Sequence, residues 1–258
     1  CIRSTATAAG CCGWERSGTK KTLDDGFTAL EQEHQRKQEA TGEQEPTSFL
    51  GQIAIICSDI WKAYLTVIGL RLPEAVHILD RFHIMQHFSK ALDKVRAEET
   101  RRLKAEGYDP VLSKSRWCFL KRQENLTDQQ GLKLDELLQM NLRTVKAYLL
   151  KEDFQRFWHY TYPAWAEKFL RRWCFRTMRS KIEPMKDIAK MLRRHQGPIL
   201  NWFRAKKQFN NGIVEGLNLK WNLTVRKAFG FRTFNALQIA SFHQLGDLPV
   251  PPATHEFY

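Results

Sequence analysis

Ile53-Ala54-Ile55-Ile56-Cys57-Ser58-Asp59, followed a helix-length later by Ala75-Val76-His77-Ile78-Leu79-Asp80, is the stretch that decides the fold. Each half is a short, continuous apolar run rich in β-branched residues, the pattern of a strand buried on both faces. Trp61 to Ile68 reads as a helix, and Pro73 restarts the chain into the second run. Strand, helix and strand at this spacing form an α/β unit with a parallel pair. Both runs end in an aspartate, at the position where open α/β sheets present working side chains. Asp59 and Asp80 are therefore candidates for chemistry, each with a plainer alternative. Asp59 follows Ser58 and can cap the helix near Trp61; Asp80 can cap the next helix or pair with Arg81.

Working outward, residues 1–18 are rich in Ala, Thr, Ser, Gly and Cys, show no period, and read as a degenerate or disordered start. Thr22 to Leu30 fits a short helix, and the Gln/Glu-rich segment to Ser48 reads as helix end plus loop. Downstream, Ile84, Phe88, Leu92 and Val95 recur at helical spacing. From about residue 100 to 205 only helical signals appear. Thr127 and Gln130 resemble a capping box, Leu142, Val145 and Leu149 repeat at helical spacing, and Pro163 and Pro184 fit first turns. A last helix starts near Ile213 with Gly230 as its stop. The expected organisation is an α/β core over 19–100, a helical insertion over 101–205, C-terminal core helices over 206–247 and an extended tail over 248–258.

The 258 residues are 43% hydrophobic, enough for one substantial domain or a domain with a large insertion. Lys and Arg outnumber Asp and Glu by 41 to 28, unevenly. Residues 1–50 carry 6 basic and 8 acidic side chains, whereas residues 168–207 carry 13 and 2. A basic second half interleaved with Trp165, Trp173, Phe175, Trp202 and Phe203 points to nucleic acid; solvated helix faces are the plainer alternative. Six cysteines (1, 11, 12, 57, 118, 174) form no C-x-x-C pair and read as reduced thiols of an intracellular protein. No apolar stretch approaches the roughly 18 residues of a membrane span, so no membrane partner is expected.

Glu215, within Asn210-Asn211-Gly212-Ile213-Val214-Glu215-Gly216-Leu217-Asn218, is the third candidate. A helix-start carboxylate is favoured by the macrodipole alone. Its neighbours argue for more: Asn218, Asn222 and Arg226 follow on one face, suited to metal and phosphate, with Val214, Leu217 and Trp221 on another. Arg226, Lys227 and Arg232 extend that face towards a DNA backbone. Asp80 and His83 make a D-x-x-H pair that serves equally as a shared ligand set or as a structural hydrogen bond. P-loop, G-x-S-x-G and H-E-x-x-H motifs are missing, which leaves carboxylate-and-metal chemistry.

Cys57-Ser58-Asp59-Ile60-Trp61-Lys62-Ala63-Tyr64, Pro73-Glu74-Ala75-Val76-His77-Ile78-Leu79-Asp80-Arg81-Phe82-His83 and Ala91-Leu92-Asp93-Lys94-Val95-Arg96 closely resemble bacterial DDE transposases of the ISL-three insertion-sequence group. So do Leu142-Arg143-Thr144-Val145-Lys146-Ala147-Tyr148, Val214-Glu215-Gly216-Leu217-Asn218 and Arg226-Lys227-Ala228-Phe229-Gly230-Phe231-Arg232, in the family's order, from about residue 51 onward. The resemblance implies a ribonuclease-H-like α/β core with a helical insertion before the last catalytic carboxylate. It makes Asp59 the second and Glu215 the third member of a D-D-E triad, both metal ligands, with Asp80 and His83 as auxiliary residues. It implies Mg²⁺ or Mn²⁺, cleavage and strand transfer on double-stranded DNA at transposon ends and target, a homodimer assembled on DNA, and a cytoplasmic, nucleoid-associated location. Lys220, Arg226, Lys227, Arg232, Arg193, Arg194, Lys206 and Lys207 are the candidate DNA contacts.

The family's first Asp has no counterpart, since Asp24 and Asp25 lie on the wrong side of its expected place. The expectation is a truncated transposase with an incomplete triad. Its rivals are a remnant that only binds DNA, and a small nuclease using Asp80 with Asp59 and Glu215.

Overall fold

The structure, a computed structural model, describes residues 2–4, 20–41, 47–108, 111–207, 212–233, 235–237 and 239–240. The chain divides into two compact units, Ile2–Phe209 and Asn210–Tyr258, each considered by itself. The first opens with β1 (Ile2–Ser4), α1 (Lys20–Thr41), β2 (Ile53–Ser58), α2 (Lys62–Arg71), β3 (Val76–Leu79) and α3 (Arg81–Ala105). β2 and β3 are the two apolar runs, and they pair in parallel as the sequence suggests, with Ile55 opposite Val76 and Ser58 opposite Leu79. Ile53, Ile56, Ile78 and Leu79 are buried, so the β-branched runs lie in the core.

Two features depart from the sequence reading. The Gln/Glu-rich stretch read as helix end plus loop is helix as far as Thr41, where the 22-residue α1 ends. Gln, Glu, Lys and Arg are all good helix formers, and Glu33 pairs with Lys37 one turn on at 3.1 Å. Phe27 anchors this helix over Ile53, Ile56, Val67, Ile68 and Leu72. The second departure is β1, which lies within the stretch read as patternless. Its three residues pair antiparallel with β2 (Ile2 opposite Ile56), with a register shift after Arg3. Three residues are too few to carry a readable period.

The remainder of the unit is helical: α4 (Arg116–Leu120), α5 (Asp128–Leu138), α6 (Arg143–Gln155), α7 (Pro163–Met178), α8 (Glu183–Arg194) and α9 (Gln196–Arg204). The Thr127–Gln130 capping box forms, and Pro163 and Pro184 sit in first turns. Leu149 departs from the expected stripe: α6 turns Val145, Tyr148 and Phe154 inward, leaving Leu149 52% exposed.

Packing in this block is dominated by aromatic rings. Phe88 of α3 stacks on Phe154 at 4.6 Å, Trp173 meets both edge-on, and Phe157 meets Phe203 at 4.9 Å. Such pairs add to the burial term through ring geometry. Three of the five aromatics that suggested nucleic acid (Trp173, Trp202 and Phe203) therefore belong to the core, and only Trp165 and Phe175 are exposed.

Two polar pins tie this block to the sheet and to α3. Asn201 Nδ2 donates to the His77 carbonyl at 2.8 Å, satisfying β3 from α9. Glu99, 2% exposed, accepts from the amides of Arg143 and Thr144 and so caps α6 from α3.

In the second unit, α10 (Gly212–Lys227) carries the expected last helix. Gly230 N donates to Val225 O and Phe229 N to Arg226 O, a Schellman ending. The left-handed residue at its corner is Phe229 (φ 51°), one before the expected Gly230, which itself has φ 94°. The proposed tail, 248–258, and most of 1–18 lie outside the described residues.

Candidate active site at the strand ends

Parallel pairing with Ser58 opposite Leu79 carries both strands to the same end, and Asp80 N donates to Ser58 O at 3.1 Å. Asp59 and Asp80 therefore leave the sheet side by side. Asp80 is the N-cap of the 25-residue α3: its Oδ1 accepts from Phe82 N at 3.1 Å. That position fixes the carboxylate at the start of α3. Asp59 is not explained by capping, because the N-cap of α2 is Trp61, with no side-chain cap bond.

His83, one turn into α3, joins the two. Its Nδ1 lies 2.8 Å from Asp59 Oδ1 and 2.9 Å from Asp80 Oδ2. Two carboxylate oxygens facing one ring nitrogen require that nitrogen to be the N–H donor, which assigns the tautomer. Exposure grades across the cluster, with Asp80 5%, His83 26% and Asp59 40% accessible. One side is anchored in protein and the other faces solvent.

Ligand atoms of Asp59, Asp80 and His83 all lie within 4.8 Å of one another, and this is the group among the described residues able to hold a metal ion. The two carboxylates suit a divalent cation with oxygen preference, which would take the place of the His83 N–H between them. The donor set therefore fits.

Surrounding groups hold the strand ends. Ser58 Oγ lies 2.7 Å from His77 Nε2. Burial, reinforced by His195, lowers the His77 pKa to about 4, so that the ring is neutral at physiological pH. Arg81 lies over the Trp158 ring at 5.4 Å, and Trp158 Nε1 donates to Met85 Sδ, which clamps the start of α3 to the aromatic block. His87 was not singled out in the sequence. It follows His83 at i+4, and its pKa is lowered by burial and by Lys90 and His83, against an opposing pull from Asp59. The i, i+4 spacing was the available signal.

Glu215 lies on α10 in the other unit, near the helix start as expected; its backbone alone is described. Lys220, Arg226, Lys227 and Arg232 are exposed in that unit, as are Arg193, Arg194 and Lys206 in the first. Lys207 is engaged internally: its Nζ donates to Trp158 O at 3.0 Å and lies over Trp202 and Phe203. Asp24 holds Arg71 at 2.7 Å, a structural ion pair. Cys118 and Cys174 are buried free thiols, and Cys57 is buried in β2. Among the described residues no helix is long and apolar enough to cross a membrane.

A family model described as a transposase, of the DDE type of the ISL-three group, matches residues 22–241. The chain is 31% identical over 192 residues to a transposase for insertion sequence element IS1001 from Bordetella parapertussis, covering 74% of this chain and 47% of that protein. It is 26% identical over 236 residues to a transposase for IS1557 from Mycobacterium tuberculosis, covering 79% and 50%. The chain thus spans about half the length of the curated relatives it matches. No solved structure matches it.

Proposed function

The chain belongs to the DDE transposase family of the ISL-three group, and from that premise we propose that Asp59 and Asp80, with Glu215 of α10, serve metal-dependent phosphodiester cleavage and strand transfer on duplex DNA. The observation that carries the proposal is the meeting of Asp59 and Asp80 at adjoining strand ends, with His83 Nδ1 within 2.9 Å of both. This family uses divalent metal, which supplies a polarised phosphoryl oxygen and an activated water or 3′-hydroxyl.

The chain's own groups do the rest. Asp59, the most exposed of the three, presents its carboxylate to the incoming backbone and ion. Asp80 is held in place because Phe82 N anchors its carboxylate at the start of α3. His83 keeps two like charges in one place by donating between them, where alone they would repel. Glu215 enters as the third carboxylate on the strength of the family motif. Lys220, Arg226, Lys227 and Arg232 provide phosphate contacts that position DNA without reading its sequence.

The test is Mn²⁺-dependent nicking and joining of labelled duplex DNA by the chain and by Asp59→Asn and Glu215→Gln. Loss in both variants is expected; intact activity in either removes that residue from the site.

A second reading is favoured by one observation. β1, the strand beside β2, is Ile2-Arg3-Ser4 and offers no carboxylate next to Asp59. On that reading the chain binds DNA without cutting it, with salt-dependent, sequence-indifferent affinity that survives Asp59→Asn.

A further inference from the structure

The described part of the helical block carries one surface that packing does not explain. α7 buries Ala166, Leu170, Trp173, Cys174 and Thr177, which is its core face. On its outer side Trp165, Lys168, Arg172, Phe175 and Arg179 follow at steps of three and four, all exposed. At 3.6 residues per turn they fall within a band about 80° wide and run about 21 Å along the axis. Trp165 and Phe175 are each 57% exposed, although burying them would be favourable by roughly 2 kcal/mol each.

The cations complete the pattern. Lys168 Nζ lies 5.3 Å from the Trp165 ring centroid and the Arg179 guanidinium 3.4 Å from that of Phe175. Among the described residues no carboxylate pairs with Lys168, Arg172 or Arg179. The band ends at a groove of about 550 Å³ between α6 and α7, with Leu149 and Leu150 as apolar floor and Lys146, Arg176 and Arg179 at its edge. Its carboxylate, Asp153, is already paired with Arg156 and Arg176.

Alternating flat rings and cations without a carboxylate partner on one helix face match one ligand chemistry: unstacked bases joined by phosphates. A duplex hides its base faces and would use the cations alone. An acidic protein surface would likewise leave the rings without flat partners. Trp165 and Phe175 stand about 15 Å apart along the helix, several times the ~3.4 Å spacing of stacked bases, so each ring receives a different base of an extended strand. Resting on the reading of the chain as a DNA-acting protein, we propose that the outer face of α7, continuing into the α6–α7 groove, is a stacking track for single-stranded DNA. Its role is to hold a strand unpaired, apart from the phosphate contacts that position duplex.

The experiment is fluorescence anisotropy of a labelled oligo-dT strand and of a labelled duplex with the full chain. It is run in EDTA, so that metal chemistry plays no part. Trp165→Ala and Phe175→Ala are each expected to weaken oligo-dT binding about tenfold, while duplex binding changes less than twofold. Trp165→Phe is expected to keep most of the affinity, because a flat ring remains. Arg172→Ala is expected to lower the salt slope for oligo-dT by about 0.7. An unchanged oligo-dT affinity in both alanine variants overturns the proposal, as does an equal loss on duplex. Loss of self-association in sedimentation with unchanged oligo-dT affinity also overturns it and makes the face a contact between copies. Single-strand binding without metal-dependent cleavage would leave this track standing and remove the catalytic reading; cleavage without it would do the reverse.

Discussion

Among the described residues two buried carboxylates cap helices, and one of the two has capacity to spare. Glu99 is saturated: Oε1 accepts from Arg143 N at 2.9 Å and Arg102 Nη2 at 3.3 Å, and Oε2 from Thr144 N and Oγ1, both at 2.7 Å. Four donors fill the roughly four acceptor positions of a carboxylate. Asp80 is nearly as buried, yet its recorded donors are Phe82 N and His83 Nδ1, and the second is shared with half-exposed Asp59. The same cap geometry is thus closed at α6 and open at α3. A carboxylate satisfied by its own chain is architecture; one sharing a donor with a second carboxylate at the surface is equipped to exchange it for a ligand.

The contrast can be broken at several points. The largest effect is expected at Asp59→Asn, which should reduce metal-dependent cleavage on the order of a thousandfold while leaving urea stability nearly unchanged. Glu99→Ala should do the opposite. It leaves two amides and a hydroxyl unpaired in the interior, costing about 3 kcal/mol in urea denaturation, with metal affinity of the folded fraction retained.

Next in size is a pH effect at His77. Its folded pKa of about 4 lies below the ordinary 6.5, so the unfolded chain binds the proton first. Stability from the neutral ring is then full above about pH 6.5 and is lost as pH falls towards 4, by on the order of 2 kcal/mol. Denaturation midpoints across that range should flatten in His77→Gln. Smaller than the His77 effect on stability is that of Asp80→Asn. Asparagine still caps α3, so stability should fall by less than about 1 kcal/mol, while Mn²⁺ affinity falls about tenfold.

The parallel pair was legible in the sequence because Ile53–Cys57 and Ala75–Leu79 are short apolar runs rich in β-branched residues, and Ile53, Ile56, Cys57, Ile78 and Leu79 of those runs are buried. Asp59 and Asp80 followed from the ends of those runs. The Asp80–His83 contact was legible too, as a D-x-x-H pair, but that Asp59 joins it was not, because this depends on register and on a side-chain rotamer, which no period encodes. Glu99 was likewise invisible: one charge in a charged helix gives no sign that α6 will end upon it. Trp173, Trp202 and Phe203 looked like a DNA-facing set, yet they pack on rings 19 to 85 residues away in sequence, such as Phe154, Phe88 and Phe157. Trp165 and Phe175 carry the same composition signal and differ only in helical phase.

The central claim is that the open pair at the strand ends, and not the closed one, takes a divalent cation. Titration of the chain with Mn²⁺, read by calorimetry and by loss of the free-ion EPR signal, tests it most directly. The expected result is binding that Asp59→Asn abolishes, Asp80→Asn weakens about tenfold and Glu99→Gln leaves unchanged. Equal Mn²⁺ affinity in the wild-type chain and Asp59→Asn would contradict it.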